Sequence, residues 1–163
     1  MKKQKAVTLI EVVLYCAVTA VMMGTLLPTA LDMIQGGEKS MTMQEVASNG
    51  RNIMSLLKYK IRNASGVVSV SASTLVLSNY VGSNTTFTLT SGNVTIDEGA
   101  GAVNLNSSDT AVTALTFTDY TSSDGKTDNV GVLMTIEANF TASGRQEYSS
   151  SITLQTAAEV RGI

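Results

Sequence analysis

Few side chains in this sequence have the chemistry to do more than hold a fold. The 163 residues include no histidine, no tryptophan and one cysteine, Cys16. A nucleophile–histidine pair or a His/Cys metal cluster has no members here, and an intrachain disulfide is excluded. This inventory argues against catalysis. Two sets of carboxylates remain. Glu11 stands near the start of an apolar run, residues 7–34, that carries no charge from Val12 to Leu31. Asp119, Asp124 and Asp128 share one loop, residues 119–129. An oxygen-rich loop suits calcium, which makes these three aspartates candidate ligands, although the order departs from the D-x-D-x-D-G of an EF-hand. Asp-Gly and Asp-Asn pairs are also ordinary turn chemistry.

Glu11 is the more informative group, because of the element that must position it. The uncharged residues from Val12 to Leu31, at about 1.5 Å each, match a hydrocarbon core about 30 Å thick. Lys2, Lys3 and Lys5 precede them. Positive residues stay on the cytoplasmic side, so the chain after Leu31 is expected outside. A carboxylate at the membrane interface costs little. Deeper in, it costs roughly 2.5–3.5 kcal/mol on insertion scales and calls for a partner. Pro28, with Gly24 four residues earlier, marks a weak point, since proline removes a helix donor at a cost of about 3 kcal/mol. Two simpler readings compete: a secretory signal peptide and a plain single-pass anchor. The run is long for a signal peptide, and no clear small-x-small site follows it.

Lys2-Lys3-Gln4-Lys5-Ala6 followed by Val7-Thr8-Leu9-Ile10-Glu11 resembles the class III signal of type IV pilins and type II secretion pseudopilins. The resemblance covers residues 1–34. Ala6 stands where that family usually has glycine before the cut, and Val7 where it usually has phenylalanine or methionine. The resemblance implies removal of residues 1–6 by a prepilin peptidase, so that Glu11 becomes the fifth mature residue, the family's assembly glutamate. Pro28 then falls where many pilins have a helix-loosening proline. It also implies a mechanism: the new amine on Val7 of one subunit neutralises Glu11 of its neighbour. A buried charge pair of that kind enforces register, because a displaced subunit leaves both charges unpaired. The partners implied are membrane lipid, the peptidase, an inner-membrane assembly platform and other pilin subunits in a helical filament. The location implied is the cytoplasmic (inner) membrane, then a periplasmic or cell-surface filament.

After residue 34 the composition changes. Gly36-Gly37 is expected to interrupt the helix or soften it, and Thr42-x-x-Glu45 to offer a capping-box restart. Met43, Val46, Gly50, Ile53, Met54, Leu57 and Ile61 then recur at helical spacing, an apolar stripe that needs a sheet to cover it. Residues 67–70, 74–78, 85–90, 93–96, 114–119, 130–141 and 147–156 read as strands. Ser91-Gly92-Asn93 and Ser143-Gly144-Arg145 read as hairpin turns. The expected fold is α+β, a long N-terminal helix packed on an antiparallel sheet, as in pilin-like subunits. Its parts are a leader (1–6), a membrane and polymerisation helix (7–34), an amphipathic helix (35–63) and a Ser/Thr-rich β domain (64–163). The last part, with residue 63, holds three basic residues against nine acidic ones, which opposes bulk electrostatic binding of nucleic acid. Within the pilin class, the departures at the cleavage site and the lack of a disulfide favour a minor pilin or pseudopilin over a major pilin. A non-polymerising, membrane-anchored adhesion or binding domain is the rival reading.

Overall fold

Residues Leu9–Asn63 form one α-helix, α1, in the computed structural model, which describes residues 8–123, 127–140 and 148–161. The expected interruption at Gly36-Gly37 is not there, and Thr42 is no cap but a buried residue inside the helix. A helix-interior glycine costs only about 1 kcal/mol. Ending a helix and nucleating another is costlier, so two glycines do not stop it. The chain divides into two units, Met1–Glu38 and Lys39–Ile163. Among the described residues of the first unit, all up to Gly37 are exposed.

In the second unit, α1 buries Val46, Gly50, Ile53, Met54, Leu57 and Ile61 of the stripe that the spacing marks out, whereas Met43, also assigned to it, is exposed. The strands that cover it are β1 (Gly66–Val70), β2 (Thr74–Ser78), β3 (Thr85–Thr90), β4 (Asn93–Asp97), β5 (Val103–Asn104), β6 (Thr110–Asp119), β7 (Asn129–Ala138) and β8 (Ser151–Glu159). They form two antiparallel meanders rather than one sheet, β1-β2-β3-β4-β5 and β6-β7-β8. The α+β arrangement of a long helix on antiparallel sheets is therefore present, with the sheet divided. Leu75, Leu77, Phe87 and Val94 from the first sheet meet Val130, Val132, Met134 and Ile136 from the second in one core with the helix. Helix and second sheet approach closely at Gly50, where an added Cβ would lie 2.8 Å from Leu154 Cδ1 and 3.1 Å from Ile136 Cγ2.

Local chemistry sets the register. Thr90 faces Asn93 across a two-residue turn in which Ser91 and Gly92 have φ of 50° and 81°. Two positive φ values in succession suit the type I′ turn that matches strand twist. The side chain of Asn106 then ties this hairpin to the second sheet. Its Oδ1 accepts the Val94 amide at 2.9 Å, and its Nδ2 donates to the Thr110 carbonyl at 2.8 Å and to Asn93 Oδ1 at 3.0 Å. Asn49 on α1 reaches the same corner, donating to Ser107 Oγ at 3.0 Å. At the other end of the sheet, Lys60 of α1 pairs with Glu98, which also accepts from Thr85. The Lys60 hydrogen bond holds the Glu98 carboxyl below its usual value of 4.5.

Two outcomes are expected from this packing. Asn106→Ala leaves a buried amide and a buried carbonyl unpaired, at roughly 1–3 kcal/mol for each group; denaturant unfolding should read a loss in that range, with leucine in its place no better. The folded carboxyl of Glu98 has a depressed pKa, so its contribution is present above about pH 4.5 and is lost as pH falls through the folded value. With a side chain 48 % exposed, that contribution is a few tenths of a kcal/mol. Glu98→Gln should remove this small acid-side slope in a stability–pH profile.

Candidate functional site

The element of greatest chemical interest is the first half of α1. Thr8 accepts the first helical bonds, from the amides of Glu11 at 3.0 Å and Val12 at 3.3 Å. Glu11 is thereby the third helical residue, in a turn where unpaired amides and the helix dipole favour a negative charge. Thr8-x-x-Glu11 also has the residue types of a capping box, which gives Glu11 a local role besides any membrane partner. Ala6 and Val7, the expected cleavage pair, lie outside the described residues.

From Leu9 to Gly37 the side chains are exposed on every side of the helix, Leu9 at 83 % and Val21 at 69 % among them. The polar residues in this stretch answer their own hydrogen-bonding needs. Thr19 Oγ1 donates to the Tyr15 carbonyl at 2.8 Å, and Thr29 Oγ1 to that of Thr25 at 2.8 Å. Thr25 Oγ1 donates to the Met22 carbonyl at 3.1 Å. Threonines that bond back in this way carry little penalty in an apolar solvent. Pro28 has no amide to offer the carbonyl of Gly24, yet the helix continues through both. The ring of a helical proline crowds the carbonyl four residues earlier, and here that residue is glycine, with nothing beyond its own chain neighbours and helix backbone within 4 Å of where its Cβ would be. Gly24 and Pro28 thus occupy one weakened but unbroken turn. Cys16 is exposed on the same segment.

The aspartate loop is spread over separate duties. Asp119 Oδ1 accepts the Thr121 amide at 2.8 Å. Hydrogen bonds from Thr121, first from its side chain and then from its backbone, hold the Asp119 carboxyl below the usual range. Asp128 Oδ2 accepts the Val67 amide at 3.2 Å and so joins the start of β7 to β1. Both carboxylates have a structural use without a metal. Asp124, the third candidate calcium ligand, lies outside the described residues. Among the described residues, no three His, Cys, Asp or Glu side chains form a group that could hold a metal ion. The nearby Asn129 Oδ1 is buried without a hydrogen-bond partner.

No family model matches this chain, and neither does any curated protein or solved structure. Fold and helix together define a class: an α+β protein with one N-terminal helix long and apolar enough, by length and composition, to cross a membrane.

The two aspartates should separate under mutation. Asp128→Ala deprives the Val67 amide of its acceptor and should cost about 1 kcal/mol in thermal or denaturant unfolding. Asp119→Ala touches only an exposed turn and should cost less than Asp128→Ala in the same assay.

Proposed function

We propose that this protein is a structural subunit of a type IV pilus-like or type II secretion-like filament, a minor pilin or pseudopilin. The observation that carries the reading is Glu11: one carboxylate in the first turn of a helix whose apolar side chains, from Leu9 to Ile34, are exposed among the described residues. Before assembly, lipid would cover those side chains, with the N-terminus inside and the sheet domain outside. A prepilin peptidase would cut between Ala6 and Val7. An inner-membrane platform would then move the subunit into a fibre, where neighbouring helices replace the lipid. The Val7 amine of one subunit would meet Glu11 of the next, and the turn at Gly24 and Pro28 would give the packed helices room to loosen. The resemblance of residues 1–34 to the class III signal supports this reading, as does the pattern of one long helix followed by antiparallel strands. The alternative of a membrane anchor that never polymerises accounts for the apolar helix but gives Glu11 only its place in the first turn.

Glu11→Gln distinguishes the two. It should leave membrane insertion, cleavage and the sheet domain intact, and block entry into filaments, because a neighbour's amine would be buried unpaired. Co-expressed with the wild type, the variant should be depleted from the sheared-filament fraction. Equal recovery of both in filaments contradicts the proposal and favours the anchor. N-terminal sequencing of filament protein should begin at Val7, and an intact Met1 there contradicts the cleavage step.

A further inference from the structure

The second sheet ends in a strand with an open side. Ala138 N–H donates to the Ser150 carbonyl and Val160 N–H to the Asp128 carbonyl, each at 2.9 Å, at the two ends of the β7–β8 ladder. In an antiparallel pair, facing residues alternate between exchanging hydrogen bonds and not. Both bonds obey the ladder's register, so Ile152, Leu154, Thr156 and Ala158 bond to β7. Ser151, Thr153, Gln155, Ala157 and Glu159 turn their N–H and C=O groups away from it. Those groups meet no other described backbone.

Unpaired edges invite a further strand, and folded proteins guard them with brevity, bulges, proline or lysine. The other edges here are guarded. β5 has two residues, and β1 is short with a register shift between Val67 and Ser69. β6 gives its Val112 and Phe117 amides to the carbonyls of Gly92 and Ala72. β8 has nine residues, an unshifted register, no proline and no lysine. Beside it, a cleft of about 330 Å³ is lined by residues of β8 and α1. Met54 and Leu154 contribute apolar surface to the cleft, and Arg51 and Lys58 line the helix side. These two cations stand two helical turns apart, on one face, about 10.5 Å along the axis. Among the described residues, neither pairs with a carboxylate. In a domain whose net charge is negative, two unpaired cations beside an open strand mark this edge out.

We propose that β8 takes an added strand from a partner protein, an extended acidic segment whose backbone completes the sheet and whose carboxylates meet Arg51 and Lys58. Backbone bonding supplies the attachment, and alternate side chains in the cleft supply the selection. The site uses neither Glu11 nor the apolar first half of α1, so it stands whether or not the chain polymerises.

The test uses the full chain in detergent micelles and a short fluorescein-labelled peptide in which valine alternates with glutamate. Fluorescence anisotropy should show saturable binding, at least about tenfold tighter than for the same peptide with lysine replacing glutamate. Methylating alternate backbone nitrogens of the peptide, in the phase that faces β8, should abolish binding. Arg51→Glu combined with Lys58→Glu should weaken binding about tenfold. Gln155→Pro should remove it, since the lost N–H is one that does not bond β7. Where that variant fails to fold, the methylated peptide decides the backbone contribution. No binding, equal binding of the lysine peptide, or binding indifferent to methylation overturns the proposal. Self-association of the chain through β8, relieved by Gln155→Pro while the peptide stays unbound, overturns it in favour of a second copy.

Discussion

Apolar surface that the chain cannot cover is the constraint on which the rest depends. A soluble domain buries one stripe of each helix and leaves the other faces polar. From Leu9 to Ile34 this helix has no polar face of that kind, and no described side chain is buried. At about 25 cal/mol per Å² of apolar surface, leaving so many large side chains in water would exceed the stability of a typical domain. Another medium must therefore cover them. Lipid meets the need, and so do other helices of the same kind. The internally bonded threonines and the unbroken backbone at Pro28 suit both.

The same helix has a different character from Lys39 onward, where its stripe closes a core against two sheets. Three polar ties keep that packing unique. Asn106 joins the β3–β4 hairpin to the start of β6, Asp128 joins β7 to β1, and Lys60 with Glu98 joins α1 to the end of β4. Hydrophobic contact alone would tolerate sliding between helix and sheets. Directional bonds at these corners do not, because each slip strands a polar group away from its partner. A sheet domain held so firmly can present one surface steadily, including the open side of β8.

Much of this was legible in the sequence, and the misses have physical causes. Residues 74–78 and 85–90 are strands at the expected bounds, since alternation is clean there and turns flank them. β6 begins at Thr110 rather than residue 114, because the register shifts between Val112 and Ala114 and the alternation breaks at that point. β5 is two residues long, below what any periodicity can reveal. β8 runs to Glu159 through two alanines that favour helix locally but are held by Gly131 and Val130 across the ladder. Alternation tells which face of a strand is buried, not which strands pair, so the division into two sheets was invisible. Of the two outcomes open at Gly36-Gly37, interruption or softening, the helix does not break, because the local preference is weaker than the cooperativity of the surrounding turns. At the candidate site, Glu11, Gly24 and Pro28 stand out in the sequence by residue type and spacing. Asn106 had no comparable signal, and Asp128 stood out only as a candidate calcium ligand, because a polar tie depends on which distant amide it meets.

The central claim is that neighbouring helices replace lipid around residues 9–34. A photo-crosslinking amino acid at Leu14, one turn from Glu11, reports what covers the helix in each state. In the membrane fraction the adducts should be with lipid. In sheared filaments the account predicts an adduct of twice the chain's mass, joining Leu14 of one subunit to the N-terminal helix of another. Lipid adducts alone in every fraction, with no chain-to-chain product, would contradict it.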